Sequence, residues 1–243
     1  MDDRGKQIRR DTLALSKANG GYHYGGCFSC VEILIALFDY VMGEHDKFIL
    51  SKGHSCWPYY VLLRERGLNP KLEGHPHCDP HNGILCTTGS LGHGLPSGVG
   101  MAMAKKYMKR QGTIYVLMGD GECQEGTTWE SLLIAGRHEL DNLVVIVDYN
   151  KIQGSGFVHE ILGIRYPLEA VAEKSGWEFM ELDGHSWEEL TAYLQGANCS
   201  SKPILVLAHT VKGKGVSYME NNPKWHACWP DPDHEAQALK ELS

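Results

Sequence analysis

The sequence predicts an α/β fold in which a doubly wound, mostly parallel sheet is flanked by helices. Runs of apolar residues, many of them β-branched, at 113–118, 143–147 and 204–208 are typical of strands buried on both faces. These runs alternate with segments whose apolar residues recur at helical spacing. A chain of 243 residues is long enough for one large domain. We therefore expect residues 1–243 to form a single domain.

The first half of the chain begins with a predicted surface helix. Apolar residues recur among charged ones over residues 2–18, and Asn19-Gly20-Gly21 is typical of a helix end. The glycine-rich segment 22–26 is expected to be a loop. The other elements expected in this half are a buried helix from about Ser29, a strand at 48–50, a helix at 57–66 and an aperiodic segment at 69–90.

The second half repeats strand and helix in alternation, which is the pattern of a parallel sheet. Ser186 and Glu189 are spaced as a capping box, in which a hydroxyl and a carboxylate each bind one backbone amide of the first helical turn. The elements expected here are helices at 97–108, 127–140 and 186–194, and strands at 113–118, 143–147, 178–182 and 204–208.

Composition narrows the range of partners. Lys and Arg number 23 against 30 Asp and Glu, a net charge of -7, and no basic block stands out. Duplex nucleic acid and anionic membranes are therefore not expected partners. Residues 1–7 lack the apolar core of a signal peptide, and no apolar run is long enough to span a bilayer. We expect a cytoplasmic protein.

Eight cysteines are expected to be free thiols, since a reducing compartment disfavours disulfides. Cys27 and Cys30 form a Cys-x-x-Cys motif, but a zinc ribbon needs a second such pair and a thioredoxin-like site needs a preceding strand. Small buried thiols at a helix start are the expected interpretation. His75, His77, Cys78 and His81 lie close together in sequence, yet no helix or hairpin pattern would aim them at a zinc ion. No zinc site is expected there.

The segment 119–152 is a strand, helix, strand unit with polar residues where each strand ends. One strand stops at Gly119-Asp120-Gly121 and the next at Asp148-Tyr149-Asn150. Because parallel strands end at the same edge of a sheet, Asp120 and Asn150 should share one rim. Their oxygens and a following backbone carbonyl suit a hard octahedral cation, and the glycines let a diphosphate approach the backbone. A turn aspartate and a strand-end cap are the alternatives for each residue alone.

This unit resembles the thiamine diphosphate fingerprint. The Gln124-Glu125-Gly126 that follows Asp120, together with Trp129-Glu130, is similar to the transketolase branch of that family. The resemblance implies a thiamine diphosphate-binding fold (PP domain) that holds thiamine diphosphate and Mg²⁺. It implies that the metal ligands are Asp120, Asn150 and the backbone of Ile152. It places Gly119, Gly121 and Glu122 beside the cofactor.

Histidines carry the rest of the resemblance. His23 lies in a His-x-Gly-Gly segment, His54 in Ser-x-Gly-His, and His75 in Gly-His-Pro, and each segment is similar to one in the family. His226 corresponds to a second catalytic histidine, although Ala227 stands where the family has glycine. The resemblance implies that these four residues are catalytic, with His54 also at the cofactor and His75 at the sugar. Loop histidines without a role are the alternative.

Two further segments resemble cofactor loops. In Thr88-Gly-Ser-Leu91-Gly92, the resemblance implies that Leu91 backs the pyrimidine ring and Gly92 lines the diphosphate. The segment from Thr210 to Gly215 resembles a Thr-x-x-Gly-Lys-Gly motif and implies that Lys212 binds cofactor. A nucleotide-hydrolase P-loop is excluded there by residue order. Gln153-Gly154-Ser155-Gly156 departs from the family's Gln-x-Asp-Gly and is expected to be a local loop difference.

A full transketolase continues into a pyrimidine-binding domain, which carries the glutamate that activates the cofactor, and a C-terminal domain. The resemblance therefore implies the N-terminal subunit of a split transketolase, in a heterotetramer with a C-terminal subunit that supplies the pyrimidine-binding domain. It implies transfer of a two-carbon ketol unit between sugar phosphates, from a ketose to an aldose. Glu125 and Glu130 match interface glutamates, although carboxylates in a first helical turn also favour the helix dipole.

Other functions stay open at this point. A deoxyxylulose phosphate synthase-like half and a 2-oxoacid dehydrogenase component share the diphosphate motif, but the first normally holds both domains in one chain and the second lacks this set of histidines. A non-catalytic scaffold or regulatory subunit would need neither Asp120 nor Asn150. A dinucleotide-binding oxidoreductase is disfavoured because no Gly-x-Gly-x-x-Gly follows the first strand.

Overall fold

The computed structural model describes residues 1–154, 156–197 and 200–243. Within them, a parallel sheet of five strands has the order β1-β2-β3-β7-β6, and β4 and β5 form a separate antiparallel pair. The strands are β1 (Lys47–Leu50), β2 (Ile114–Gly119), β3 (Leu143–Tyr149), β4 (Ile152–Gln153), β5 (Gly156–Phe157), β6 (Glu178–Asp183) and β7 (Ile204–His209).

Helices lie on both sides of the sheet. They are α1 (Asp3–Ala18), α2 (Tyr24–Ser29), α3 (Val31–Ile35), α4 (Trp57–Glu65), α5 (Gly94–Tyr107), α6 (Gly126–Arg137), α7 (Val158–Leu162), α8 (Arg165–Lys174), α9 (Trp187–Gly196) and α10 (Pro232–Glu241). A π-helical turn, Ala36–Val41, continues α3, and short 3₁₀ turns are at Gly53–Ser55, Pro80–Asn82, Gly121–Gln124 and Pro223–Trp225. Among the described residues, none of the helices combines the length and the apolar character that crossing a bilayer requires.

The central strands explain why the sheet is covered on both faces. In β2, Tyr115 and Leu117 pack into a core with α1, α3, α4 and α9, whereas Ile114, Val116 and Met118 pack into a second core with α5, α6 and α8. Successive side chains of a strand point to opposite faces, so an uninterrupted apolar run needs a helical layer on each side. The predicted doubly wound parallel sheet is confirmed.

The helix expected from about Ser29 is α3, which begins at Val31. The expectation that segment 22–26 is a loop was wrong in part, because a separate helix, α2, starts at Tyr24. Its glycines allow close packing: a Cβ on Gly25 would lie 3.0 Å from Lys212 Cγ, and one on Gly26 would lie 2.6 Å from Ser55 Oγ. The glycines therefore bring a helix into contact with two loops.

Other boundaries also differ. Helix α5 starts at Gly94 rather than at residue 97, and α6 ends at Arg137 rather than at residue 140. The capping box forms only in part. Ser186 Oγ accepts a hydrogen bond of 3.2 Å from the Glu189 amide, but the Glu189 carboxylate accepts from the Asp183 amide at 3.4 Å.

The described cysteines are free thiols, and Cys27 and Cys30 are buried at α2 as expected. Burial raises the pKa of Cys30 to about 12, so this thiol is inert at neutral pH. Cys199, and Ser155 of the 153–156 loop, lie outside the described residues. Within the described part of the chain, no group of three or more His, Cys, Asp or Glu side chains could hold a metal ion, and this includes segment 69–90.

A buried ionic cluster links α1, α3 and the loop after β6. Arg9 is fully buried and binds both oxygens of Glu32 at 2.6 and 2.8 Å. His185 Nδ1 contacts the same carboxylate at 2.9 Å. Burial alone would raise the pKa of Glu32, but hydrogen bonds from His185 and Arg9 outweigh it and hold this pKa at about 2.

Replacing Glu32 with glutamine should remove a pH-dependent part of the stability. The folded pKa of Glu32 lies below its ordinary value of 4.5, so the unfolded chain binds the extra proton. The stabilisation is fully present above about pH 4.5 and is lost as pH falls towards 2, an effect of about 3 kcal/mol. Urea unfolding at several pH values from 7 to 3 measures it. The prediction fails if the difference between wild type and Glu32→Gln is the same at every pH.

Candidate active site

The predicted ligands Asp120 and Asn150 lie together at the carboxyl edge of the sheet. Strands β2 and β3 are paired, with Gly119 opposite Asp148, so their following residues are neighbours. Asp120 and Asn150 are 2% and 3% exposed. Asp120 accepts hydrogen bonds from the amides of Gly121 at 2.7 Å and Lys151 at 2.5 Å. The expectation that both residues share one rim is confirmed.

The Lys212 ammonium lies beside this pair. It donates to the carbonyl oxygen of Ile152 at 2.8 Å. Burial raises the pKa of Asp120 to about 7, an effect that the nearby Lys212 charge opposes. Burial also lowers the pKa of Lys212 to about 8, although the Asp120 carboxylate opposes that shift. A buried anion and a buried cation thus face the same space.

The buried ion pair of Lys52 with Asp148 lies beneath Asn150, and it was not identified from the sequence. The Lys52 ammonium donates to Asp148 Oδ2 and, at 3.0 Å, to the carbonyl of Gly26. Asp148 Oδ2 also accepts from Ser29 Oγ at 2.6 Å and Asn150 Nδ2 at 3.1 Å. Because the Asn150 amide nitrogen is used here, its Oδ1 is oriented away from Asp148. A single aspartate that ends an otherwise apolar strand is the sequence signal that could have revealed this support.

Glu122 joins three segments at the site. Its carboxylate accepts hydrogen bonds from Ser51 Oγ, from the Gly92 amide at 2.9 Å and from the Gly119 amide at 3.1 Å. Burial raises the pKa of Glu122. The side chain therefore fixes the Leu91-Gly92 loop against the ends of β1 and β2.

Three of the four predicted catalytic histidines form one cluster. The ring centroids of His23 and His54 are 5.4 Å apart, those of His23 and His226 are 5.4 Å apart, and those of His54 and His226 are 5.9 Å apart. His23 Nδ1 lies 3.0 Å from the backbone oxygen of His226. The backbone of His23 is left-handed, with φ of 71°, which is uncommon for a residue with a side chain. The structure therefore holds this ring in the cluster at some conformational cost.

These imidazoles are uncharged at neutral pH. Burial, assisted by the Lys212 charge, lowers the pKa of His226 to about 3. Burial likewise lowers the pKa of His23, and it lowers the pKa of His54 far below the usual value with help from Lys52. Neutral rings can both accept and donate a proton, which suits them to proton transfer.

We expect the His226 ring to stay uncharged between pH 5 and 8, so that its ring nitrogen signals do not show the large change that protonation of an imidazole causes. Its lowered pKa of about 3 puts the titration below this range, because the charged ring would be buried next to an ammonium group. A ring-selective NMR titration of the full chain, with His226→Gln to assign the signal, measures this. A midpoint near pH 6.5 for that signal would show that the ring is solvated and the prediction wrong.

The remaining predicted residues border the same space, a cavity of about 370 Å³. His75 is exposed at its mouth, and Leu91 is 37% exposed beside it. All of the predicted site residues except Gly92 line the cavity directly, and Gly92 lies behind Leu91 through its bond to Glu122. The cavity lining comprises His23, His54, His75, Leu91, Gly119, Asp120, Gly121, Glu122, Asn150, Ile152, Lys212 and His226, together with Lys52, Gly89, Gln124, Glu125, Gln153 and Gly154.

The donors present fit thiamine diphosphate and a hard cation. Asp120, Asn150 and Ile152 line the same cavity and offer carboxylate, amide and carbonyl oxygens, which is the ligand chemistry of Mg²⁺. Lys212 offers a buried positive charge to a diphosphate. Two buried atoms in the lining, His226 Nδ1 and Gln153 Oε1, have no hydrogen-bond partner among the described residues. Unsatisfied polar atoms of this kind are expected where a polar ligand binds.

The carboxyl edge of this parallel sheet presents a set of oxygens, a buried ammonium and three neutral imidazoles, which together define an α/β protein with a site for a phosphorylated ligand and a hard cation. Residues 7–242 match the family model described as transketolase, thiamine diphosphate binding domain. The chain belongs to the transketolase family.

The chain matches some relatives over most of their length and others over less than half of it. An apulose-4-phosphate transketolase subunit of Actinobacillus succinogenes is 38% identical, over 100% of this chain and 95% of that relative. The 6-deoxy-6-sulfo-D-fructose transketolase subunit SqwG of a Clostridium species is 37% identical, over 90% of this chain and 87% of the relative. The crystal structure of Campylobacter jejuni transketolase is 27% identical with a TM-score of 0.86, over 99% of this chain and 42% of that one. The chain thus spans about two fifths of the length of the solved transketolase.

Proposed function

We propose that this chain is the N-terminal subunit of a two-chain transketolase, which transfers a two-carbon ketol unit from a ketose phosphate to an aldose phosphate. The observation that carries the proposal is the difference in length between its relatives. Two relatives named as transketolase subunits match over 95% and 87% of their lengths, whereas the solved transketolase matches over 42% of its chain. By analogy with these subunits, we expect a second chain to supply the rest of the transketolase, in the cytoplasm with this one.

The cofactor would be held by groups that the site already presents. Asp120, Asn150 and the Ile152 carbonyl would bind Mg²⁺, because all three offer hard oxygen ligands. For cation binding, the Lys212 ammonium would have to leave the Ile152 carbonyl, which it contacts at 2.8 Å, and it could then bind a phosphate oxygen. The bound cofactor supplies the electron sink for breaking a carbon–carbon bond beside a ketone.

The chain's own histidines would move protons. His23, His54 and His226 are uncharged and lie within one cluster, so each can accept a proton from a substrate hydroxyl and return it to a developing alkoxide. His75 is exposed at the cavity mouth, where it would meet the sugar. A non-catalytic scaffold would require none of these arrangements.

The exposed face of α6 supports docking of the partner, which would carry the pyrimidine-binding domain. This helix starts at the cavity, where Thr127 Oγ1 donates to the Gly92 carbonyl at 2.8 Å. Farther along it, Leu133 and Ile134 are 55% and 46% exposed, and Leu162 of α7 is 54% exposed. Glu125 and Glu130 are exposed on the same helix start. An apolar face that begins at an open site is typical of an interface between subunits, and two copies of each chain would form a heterotetramer.

Changing Leu133 to aspartate should weaken assembly with the partner by about thirtyfold, since a charge in an apolar interface costs about 2 kcal/mol. Sedimentation of the mixed chains measures the dissociation constant. Leu239→Asp is the matched control, because Leu239 is 42% exposed but lies on α10, across the sheet from α6. Equal effects of the two substitutions would argue against α6 as the docking face.

The proposed function is tested by mixing the full chain with its partner chain. Isothermal titration with thiamine diphosphate and Mg²⁺ measures cofactor binding, and a coupled assay measures ketol transfer between sugar phosphates. Binding and transfer are expected in the mixture. Robust transfer by this chain alone would contradict the two-chain enzyme. A mixture that assembles but neither binds the cofactor nor transfers a ketol unit would contradict the function itself.

A further inference from the structure

We propose that His185 is a positioning residue for Lys212 and so controls how tightly the chain binds the diphosphate of its cofactor. This inference rests on the proposed function of the cavity as a thiamine diphosphate site. His185 does not line the cavity; it lies in the loop between β6 and α9. It acts through the backbone of Val211, the residue before Lys212.

The first step is the bond between the ring and that backbone. The Val211 amide donates to His185 Nε2 at 2.8 Å. A nitrogen that accepts carries no proton, so the ring proton lies on Nδ1, and it is donated to Glu32 Oε2 at 2.9 Å. Both ring nitrogens are therefore used, one for the carboxylate and one for the loop.

The second step is that Glu32, the hydrogen-bond partner of His185 Nδ1, is itself held rigidly. Glu32 is 2% exposed and is held by both terminal nitrogens of Arg9, which is itself fully buried and also donates to the Phe28 carbonyl at 2.6 Å. The imidazole is thus fixed by a carboxylate that cannot easily move. A ring anchored in this way imposes a position on the amide that it accepts from.

The third step is what the held segment carries. Thr210 Oγ1 donates to Asp148, the buried carboxylate beneath Asn150. Lys212 Nζ reaches the Ile152 carbonyl at 2.8 Å in the cavity. Val211 lies between Thr210 and Lys212 in the chain, so the hydrogen bond from its amide to His185 fixes the backbone from which both side chains extend. Gly184, beside His185, also donates to the His209 carbonyl at 2.8 Å, which brings the two loops together.

Without His185, the Val211 amide would lose its acceptor, and the backbone that carries Lys212 would be held less firmly. The site would then have to order this backbone when the diphosphate binds, which weakens binding without removing any group that touches the ligand. The expected effect is about a tenfold weaker affinity, the value of one hydrogen bond of ordinary strength.

The experiment compares His185→Leu with His185→Gln in the full chain mixed with its partner chain. Leucine fills similar space and makes no hydrogen bond. Glutamine can accept from Val211 through its oxygen and donate to Glu32 through its nitrogen. Trp177→Phe serves as a stability control, because it removes a buried bond of 2.8 Å to the Leu132 carbonyl on the opposite face of the sheet. Isothermal titration with thiamine diphosphate and Mg²⁺ and the thermal midpoint are measured for each.

We expect His185→Leu to bind about tenfold more weakly, His185→Gln to recover most of the affinity, and Trp177→Phe to lose stability while binding as wild type does. Saturating cofactor should restore the turnover of His185→Leu, since the reacting groups are unchanged. Equal affinities for wild type and His185→Leu would overturn the inference while leaving the proposed function intact. Absence of binding by wild type would overturn the proposed function, and this inference with it.

Discussion

Asp120→Asn should lower the affinity of the assembled enzyme for Mg²⁺ and thiamine diphosphate on the order of 1,000-fold and reduce its activity at sub-saturating cofactor in parallel. The substitution removes the negative charge that the buried site offers to a cation and keeps the shape of the side chain. A buried cation that loses its counter-charge costs about 4 kcal/mol, which corresponds to this factor.

Isothermal titration and an activity assay over a range of cofactor concentrations measure the loss. Asp141→Asn is the matched control, because Asp141 is exposed and pairs with Lys106 at 2.9 Å on the surface. Circular dichroism verifies that both variants are folded. An Asp120→Asn enzyme that binds the cofactor within a few-fold of wild type would show that the metal is held elsewhere.

Lys52→Met should destabilise the chain by about 3–5 kcal/mol, the usual cost of leaving one partner of a buried ion pair without its counter-charge. Asp148 is fully buried, and its Oδ2 would keep hydrogen bonds from Ser29 and Asn150 but no cation beside it. For a chain of this size, the thermal midpoint should fall by roughly 10 °C.

The double variant Lys52→Met with Asp148→Leu tests the cause. With both charges removed, part of the stability should return, since an apolar pair avoids the desolvation of an isolated carboxylate. Urea unfolding of wild type, both single variants and the double variant gives the coupling energy. A double variant that is less stable than wild type by the sum of the two single losses would mean that the two residues act independently.

The sequence specifies the sheet well, because its strands are nearly unbroken apolar runs and each has turn residues after it. β2 and β3 lie within one or two residues of their predicted bounds. The start of α2 could not be predicted from local propensity. Gly25 and Gly26 normally indicate a loop, and only the contacts with Lys212 and Ser55 explain a helix there.

Part of the candidate site could likewise be predicted from the sequence and part could not. The motifs correctly predicted that Asp120, Asn150 and the histidines line one cavity, since each residue follows a strand or lies in a recognisable segment. The supporting pair of Lys52 and Asp148 was missed, because the aspartate in an apolar strand indicates a buried partner but nothing local in the sequence identifies Lys52 as that partner. Pairing across 96 positions of sequence is a property of the folded chain alone. The same holds for the bond from Val211 to His185.

The contact between His23 and the His226 carbonyl joins residues that are 203 positions apart. Nearly the whole chain must therefore be synthesised and the parallel sheet paired before the histidine cluster exists, and long-range pairing of this kind is slow. A chain that ends between His209 and His226 would contain every strand of the sheet but not the complete histidine cluster.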